Sequence, residues 1–286
     1  MVRGAGADRV RSAMAVLTGY RALITGASSG IGREIARSLA RRGTHVVLAA
    51  RRGAELRALA DELRAAYGVE ADAVEADLAS ADGPTGLWAA ARSIGEIDIL
   101  VNNAGSGYFA RFDTTDPARS AALLALNIGA TVALCHAFVA DAARPTPRPA
   151  GRRRYILNVG SILAWQATPH FAVYGASKAF VRDFSEALHV ELRERDIAVA
   201  CLCPGGTRTE FHAVAGAGNY GRLANAAMLD AATVAEAGVR AMLAGRRTVV
   251  TGVGNQLTTV WTRLAPRRVA TWMSTRVLGR PGPDAP

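Results

Sequence analysis

The chain has 286 residues, half of them hydrophobic, and 34 Lys and Arg against 24 Asp and Glu give it a net charge of +10. That length and apolar content suffice for one large core and exclude a disordered or fibrous chain. No uninterrupted apolar run reaches about 18 residues, and Met1–Tyr20 holds only a short Ala/Val/Leu patch, so neither a signal peptide nor a membrane span is expected and a cytoplasmic setting is the default.

In chain order, an N-terminal arm (residues 1–19) leads into a short apolar strand, Tyr20–Thr25, a helix over Ile31–Arg42 and a strand at His45–Ala50. A helix from about Ala54 to Tyr67, a strand near Ala73–Ala76, a helix near Leu87–Ile94 and a strand at Ile97–Val101 follow. Next come a long helix, about Pro117 to Ala143, and a strand at Tyr155–Val159. Then a helix from about Tyr174 to Arg195, the strand Ile197–Cys203, a helix near Ala231–Ala244 and the run Thr248–Thr251 complete the alternation. Strands alternating with helices predict an α/β fold, a doubly wound Rossmann-type three-layer sandwich whose parallel sheet has about seven strands. That catalytic domain is expected over residues 20–252. Two segments break the order: Arg144–Arg154, proline- and arginine-rich, reads as an exposed loop, and Phe211–Asn225, with three glycines, reads as a loop over a cleft. Residues 253–279 form an amphipathic helical extension broken at Pro266, and 280–286 read as a disordered tail.

Some chemistries are set aside at once. Cys135, Cys201 and Cys203 have no metal-ligand spacing and read as small core residues, the latter two expected on opposite strand faces. The basic residues are scattered along helices without interleaved aromatics, which argues against a nucleic-acid surface.

Four motifs carry chemistry. Thr25-Gly26-Ala27-Ser28-Ser29-Gly30-Ile31-Gly32 lies between a strand and a helix, so backbone N–H groups and the helix N-terminus face whatever sits above the turn; a pyrophosphate suits it. The second strand ends in Arg51-Arg52, with no carboxylate, and guanidinium groups match a ribose 2′-phosphate, favouring NADP(H) over NAD(H). Tyr174 and Lys178 stand at i, i+4 on a helix, where the ammonium favours the phenolate and readies it for proton exchange. Finally, Lys178 is the one lysine in the chain, every other basic side chain of that charge class being arginine. A solvated surface site tolerates either, whereas a confined pocket that needs a compact ammonium does not.

With these motifs the chain resembles the short-chain dehydrogenase/reductase family, single-domain and NADP(H)-preferring, from Tyr20 to about Thr251. The resemblance implies that Asp77 and Leu78 lie beside adenine, that Asn103, Ala104 and Gly105 support the nicotinamide ribose, and that Asn127 holds a proton-relay water. It implies that Ser161, thirteen residues before Tyr174, positions the substrate carbonyl. In Pro204-Gly205-Gly206-Thr207-Arg208-Thr209 it places the backbone at the carboxamide and Thr209 near the phosphates. Thr207 and Gly160 depart from the family's usual aliphatic residue and serine. The expected activity is an NADPH-dependent reduction of a ketone, or the reverse oxidation of a secondary alcohol, with Tyr174 as general acid/base. The alternative is a non-catalytic NADP-binding sensor or membrane-surface scaffold. Tyr108, Phe109, Leu163, Trp165, Phe171 and Phe211 are expected to wall an apolar substrate pocket. A homodimer or homotetramer is implied, through the helices around Asn127–Ala143 and Tyr174–Arg195. For Asn255–Leu278, packing on the domain or a neighbouring subunit is favoured over peripheral contact with an anionic membrane.

Overall fold

Strands covered by helices on both faces read as continuous apolar runs, and β1 (Arg21–Thr25), β2 (His45–Ala50) and β6 (Ile197–Cys203) do so because nearly all their residues are buried. The computed structural model describes residues 17–144, 152–211 and 228–278. The other strands of the main sheet are β3 (Ala71–Glu75), β4 (Ile99–Asn102), β5 (Arg154–Val159) and, after a small parallel pair β7 (Thr207–Arg208) and β8 (Leu229–Asp230), β9 (Thr248–Val250). They form one seven-stranded parallel sheet in the order β3-β2-β1-β4-β5-β6-β9. Leu23 of β1 pairs in register with Val47 on one side and Leu100 on the other. Because the chain first winds outward from β1 and then returns to lay β4 on its opposite side, a crevice opens at the carboxyl ends of β1 and β4, where ligands of such sheets bind.

Alternate strand residues feed two separate cores. On one face Ile24, Leu48 and Leu202 pack under α1 (Gly30–Ala40), α2 (Gly53–Tyr67) and α7 (Ala231–Leu243) through Leu39, Leu56, Val239 and Met242. On the other, Leu23, Leu100, Ile156 and Val199 meet Leu87 of α3 (Gly83–Ile94) and Leu134 and Phe138 of α5 (Thr131–Ala142). Helix α6 (Ala172–Glu191) crosses the same face. Local chemistry sets the ends: Asp116 caps α4 (Pro117–Leu124) by accepting from Ala118 N at 2.9 Å, and Pro117 stands where its missing N–H costs nothing. Gly68 closes α2 in the left-handed region, φ 65°.

The predicted seven-stranded parallel fold is the one observed, with three revisions. The helix expected over Pro117 to Ala143 is continuous, but its middle, Ala125–Ala130, is a π-turn joining α4 to α5. By length and mean hydropathy Pro117–Ala142 is also apolar enough to cross a membrane, but Leu134, Cys135 and Phe138 are buried against the sheet, as in a core helix. The helix predicted from Tyr174 to Arg195 begins at Ala172 and ends at Glu191, followed by a 3-10 turn at Arg193–Arg195. Cys201 and Cys203 do not face opposite ways: residues two apart on a strand share a face, and their Sγ atoms lie 3.7 Å apart under Gly160. The extension is two helices, α8 (Val253–Leu264) and α9 (Arg267–Leu278), meeting at Pro266. Of the predicted arm, residues 1–16, and of the two predicted loops, residues 145–151 and 212–225, lie outside the described residues, as does the tail.

Phe138 is fully buried, edge-on to Trp88 at 6.1 Å between ring centres and beneath the Arg154 guanidinium. Its truncation, Phe138→Ala, is expected to remove about 3–5 kcal/mol of stability. Urea unfolding measures this, and a loss below about 1 kcal/mol would mean that the core around α5 closes over the gap.

Candidate active site

The crevice is built first by a zipper between two strand ends. Thr25 Oγ1 accepts from the N–H groups of Asn103 and Ala104, both at 3.0 Å, and donates to Val101 O. Asn103 Nδ2 donates to Thr25 O and Gly26 O at 3.0 and 3.1 Å. This brings the β1 turn so close to the β4 turn that a Cβ on Gly26 would stand 2.9 Å from Ala104 Cα, and Gly26 itself has φ +64°. Only glycine meets both conditions. Gly32, one turn into α1, packs against Gly26 O and Asn103 in the same way. Ser29 begins α1 without a side-chain cap, and no acidic residue lies in its first turn, so the positive helix end is left for an anion. Thr209 lies against this turn, its side chain 3.1 Å from where a Gly30 Cβ would be.

Beyond the turn, Arg52 Nε and Nη2 donate to Ser28 Oγ at 3.2 and 3.1 Å while Nη1 pairs with Glu210 at 3.0 Å. One guanidinium thus ties the end of β2 to the glycine turn, with Arg51 exposed beside it. Across the crevice Asp77 Oδ1 accepts from Ala79 N, and Leu78 is buried. The residues present fit a dinucleotide: a cradle that side chains would fill, an open helix terminus, and a hydroxyl–guanidinium pair at the ribose end.

The other end of the crevice gathers the polar residues. Asn102 Nδ2 donates to Asn158 Oδ1 at 2.9 Å, and Asn158 Nδ2 donates to Ser185 Oγ at 2.9 Å, which bolts β4 and β5 to α6. Lys178, on α6, is buried and donates from Nζ to Val159 O at 2.8 Å, just beyond the end of that bolt. Its Nζ lies 5.9 Å from the centre of the Tyr174 ring, one helical turn back. The Tyr174 ring is held between Phe171 and Phe211, 5.7 and 5.3 Å away. Ser161 follows β5 by two residues and caps the turn Ile162–Trp165, its Oγ accepting from Leu163 N. Asn127 sits in the π-turn, where it faces the β4 loop: its Oδ1 accepts from Ser106 N at 2.9 Å, and its Nδ2 donates to Ser106 O and Ser177 Oγ. With three protein partners, its amide has only the second lone pair of Oδ1 left for a water. Gly105 separates Asn127 Oδ1 from Lys178 Nζ, and a Cβ there would press on both.

A single cavity of about 1120 Å³ joins these parts. It is lined by Gly26, Ser28, Ser29, Gly30, Ile31, Arg51, Arg52, Asp77 and Leu78, by Asn103, Ala104 and Gly105, by Pro204, Gly205, Thr207 and Thr209, and by Ser161, Tyr174 and Lys178. Two predicted site residues, Gly32 and Asn127, stand behind this wall, not in it. Of the expected apolar pocket, Leu163, Trp165, Phe171 and Phe211 line the cavity, whereas Tyr108 and Phe109 are buried in the cluster that backs Tyr174. Missing from the sequence expectation are Asn255, Leu257, Trp261 and Met273, which make the helix pair α8–α9 a wall of the site. Their amphipathic period was visible, but not that two faces of it would be used.

Burial lowers the Lys178 pKa from its ordinary 10.5 to about 8, an effect the neighbouring Cys201 and Cys203 oppose. A base with a lowered folded pKa binds fewer protons folded than unfolded between the two values. Stability contributed by this group is therefore present above pH 10.5, falls through that window and is lost below about pH 8. Relative to Lys178→Met, the cofactor-free wild type is expected to gain roughly 3 kcal/mol on going up through this window. Urea unfolding of both proteins at a series of pH values checks it; a flat difference would contradict the buried ammonium.

Residues 20–219 match the family model for short chain dehydrogenases. An oxidoreductase of Myxococcus xanthus whose own role is uncharacterized is 36% identical over 202 residues, 70% of this chain and 77% of that protein. A short-chain dehydrogenase from Sphingobium yanoikuyae, solved in complex with NADPH, superposes with a TM-score of 0.74 at 30% identity, over 89% of this chain and 95% of that one. The bulky-bulky ketone specific alcohol dehydrogenase of Comamonas testosteroni gives a TM-score of 0.70 at 28% identity, over 86% and 92%. The chain belongs to the short-chain dehydrogenase/reductase family and is an oxidoreductase that works with a nicotinamide dinucleotide, NAD(P)(H), on CH–OH/C=O groups.

Proposed function

We propose that this enzyme reduces a bulky, largely apolar ketone with NADPH. The observation that carries the reading is that Ser161, Tyr174 and Lys178 share one cavity with the glycine turn and the Ser28–Arg52 pair. Hydride delivery to the carbonyl carbon is the chemistry the bound dinucleotide supplies. The chain's own groups handle the oxygen and the proton. Ser161 Oγ hydrogen-bonds the carbonyl oxygen, and Tyr174 Oη gives it a proton as negative charge develops. The Lys178 ammonium, fixed by Val159 O, favours the tyrosinate that remains. Asn127 holds the Ser106 backbone, so that the Gly105–Gly107 loop keeps its place beside them.

NADPH over NADH is supported by the Ser28 hydroxyl and the two arginines that follow β2, which itself ends without a carboxylate; the one carboxylate beside them, Glu210, reaches Arg52 from the segment after β6. The NADPH complex of the Sphingobium relative agrees with it. A bulky apolar substrate is supported by Leu163, Trp165, Phe171 and Phe211 in the cavity wall. The Comamonas relative's named preference points the same way.

The test follows NADPH and NADH consumption across a panel of ketones and aldehydes. Tyr174→Phe keeps the ring between Phe171 and Phe211 and is expected to lower kcat by roughly 100-fold or more with NADPH affinity intact. A variant that keeps its rate would remove Tyr174 from the chemistry. Arg51→Ala/Arg52→Ala is expected to raise the KM for NADPH by about ten- to a hundredfold while leaving that for NADH unchanged. Equal use of both cofactors by the wild type would remove the 2′-phosphate site. Tight NADPH binding with no turnover of any carbonyl would favour a sensor.

A further inference from the structure

The helix pair α8–α9 has two unlike faces. Inward, Thr259, Ala270 and Ser274 are buried, Ser274 Oγ donates to Ala167 O, and Arg263 lies over the Trp165 ring at 4.4 Å. Outward, Val253, Leu257, Val260, Trp261 and Leu264 follow one another at i, i+4, i+7, i+8 and i+11, a single stripe on α8. Leu257 is 66% and Leu264 81% exposed. On α9 Val269, Trp272 and Met273 are exposed as well, Trp272 at 57%, with Arg276 stacked on its ring. So many exposed large apolar side chains on two consecutive helices mark a docking site. Its charge names the partner: Arg267, Arg268 and Arg276 are exposed, and residues 253–278 contain no Asp or Glu.

We propose that α8 and α9 lie on an anionic lipid bilayer, with their exposed apolar side chains among the acyl chains and their arginines at the headgroups, and that the substrate enters the active site from that bilayer. Tryptophan, aliphatic side chains and arginine on one acid-free helical surface are the composition such a surface takes up. A second copy of the chain fits it less well, because an isologous contact would set the same arginine-bearing, acid-free patch against itself. The link to the active site is direct: Leu257, Trp261 and Met273 belong both to the exposed apolar side chains and to the cavity wall. A membrane against them therefore stands at the mouth of the cavity. This names the substrate class as a ketone that partitions into lipid, and that part rests on the ketone-reductase reading above.

The test uses the full chain with NADPH, sedimented with vesicles of phosphatidylcholine alone or mixed with phosphatidylglycerol. The wild type is expected to pellet with the mixed vesicles only, and to be released by high salt. Leu264→Glu/Trp272→Glu and Arg267→Glu/Arg268→Glu, none of which lines the cavity, are each expected to weaken partition by about tenfold or more. Both variants keep the wild-type rate on a short, water-soluble ketone but lose most of the rate on a long-chain alkyl ketone carried in the mixed vesicles. A wild type that stays in solution with both vesicle types, while still reducing the soluble ketone, overturns the docking and leaves the reductase reading standing. A halved mass of Leu264→Glu/Trp272→Glu by light scattering, without vesicle binding by the wild type, assigns the face to a subunit contact and overturns it equally. Vesicle binding lost in the variants with unchanged reduction of the long-chain ketone overturns entry from the bilayer. Vesicle binding with no turnover of any ketone supports the docking and sinks the reductase reading instead.

Discussion

A single buried ammonium organises the working end of this molecule. Lys178 Nζ has left water for the space behind Gly105, where its described hydrogen bond is to the neutral carbonyl of Val159. An ammonium in that position is held only if the surrounding backbone cannot relax away from it. The chain meets that demand with the Asn102–Asn158–Ser185 hydrogen-bond chain, which locks β4, β5 and α6 together one layer below. Asn127 adds a second clamp from the π-turn, gripping both the Ser106 backbone and Ser177, the residue next to the lysine. The π-turn interrupts an otherwise regular helix where that grip is made, which is where such bulges tend to occur.

The cofactor end answers a different constraint, close approach of two turns. Thr25, Gly26, Asn103 and Ala104 leave no room for a side chain between β1 and β4, so a ligand above them meets backbone N–H groups rather than side chains. The rim beside them is formed by Ser28 and the two arginines after β2. Glu210 already neutralises part of Arg52 there. It comes from the segment after β6 that also brings Thr209 against the turn, so the same stretch of chain touches both the phosphate and the ribose ends of the crevice.

The third wall is the helix pair α8–α9. By laying one face of α8–α9 on the domain and leaving the other apolar and basic, the chain makes the boundary of its cavity also a boundary of the molecule. Substrate access and surface recognition are thereby joined in the same few side chains.

By itself the sequence determined what depends on short-range chemistry. Apolar runs alternating with helical periods define the sheet, because parallel strands and their covering helices each bury a fixed pattern. The glycine turn, Arg51-Arg52 and the Tyr174/Lys178 spacing were legible because each needs a particular residue type at a particular offset, whereas Ser161 was legible only through the family resemblance. The isolation of Lys178 among arginines was legible as composition alone. Only the tertiary structure decided the rest. That Cys201 and Cys203 touch, that Asn127 faces Ser106 from a π-turn, that Tyr108 and Phe109 back the site rather than line it, and that Trp261 and Met273 close it are all facts about residues distant in the chain or about which face of an element is covered. Amphipathic periodicity says that a helix has an apolar side. What that side rests against is set by where the other elements leave space, and for α8 and α9 the domain covers one face and leaves the other to a partner.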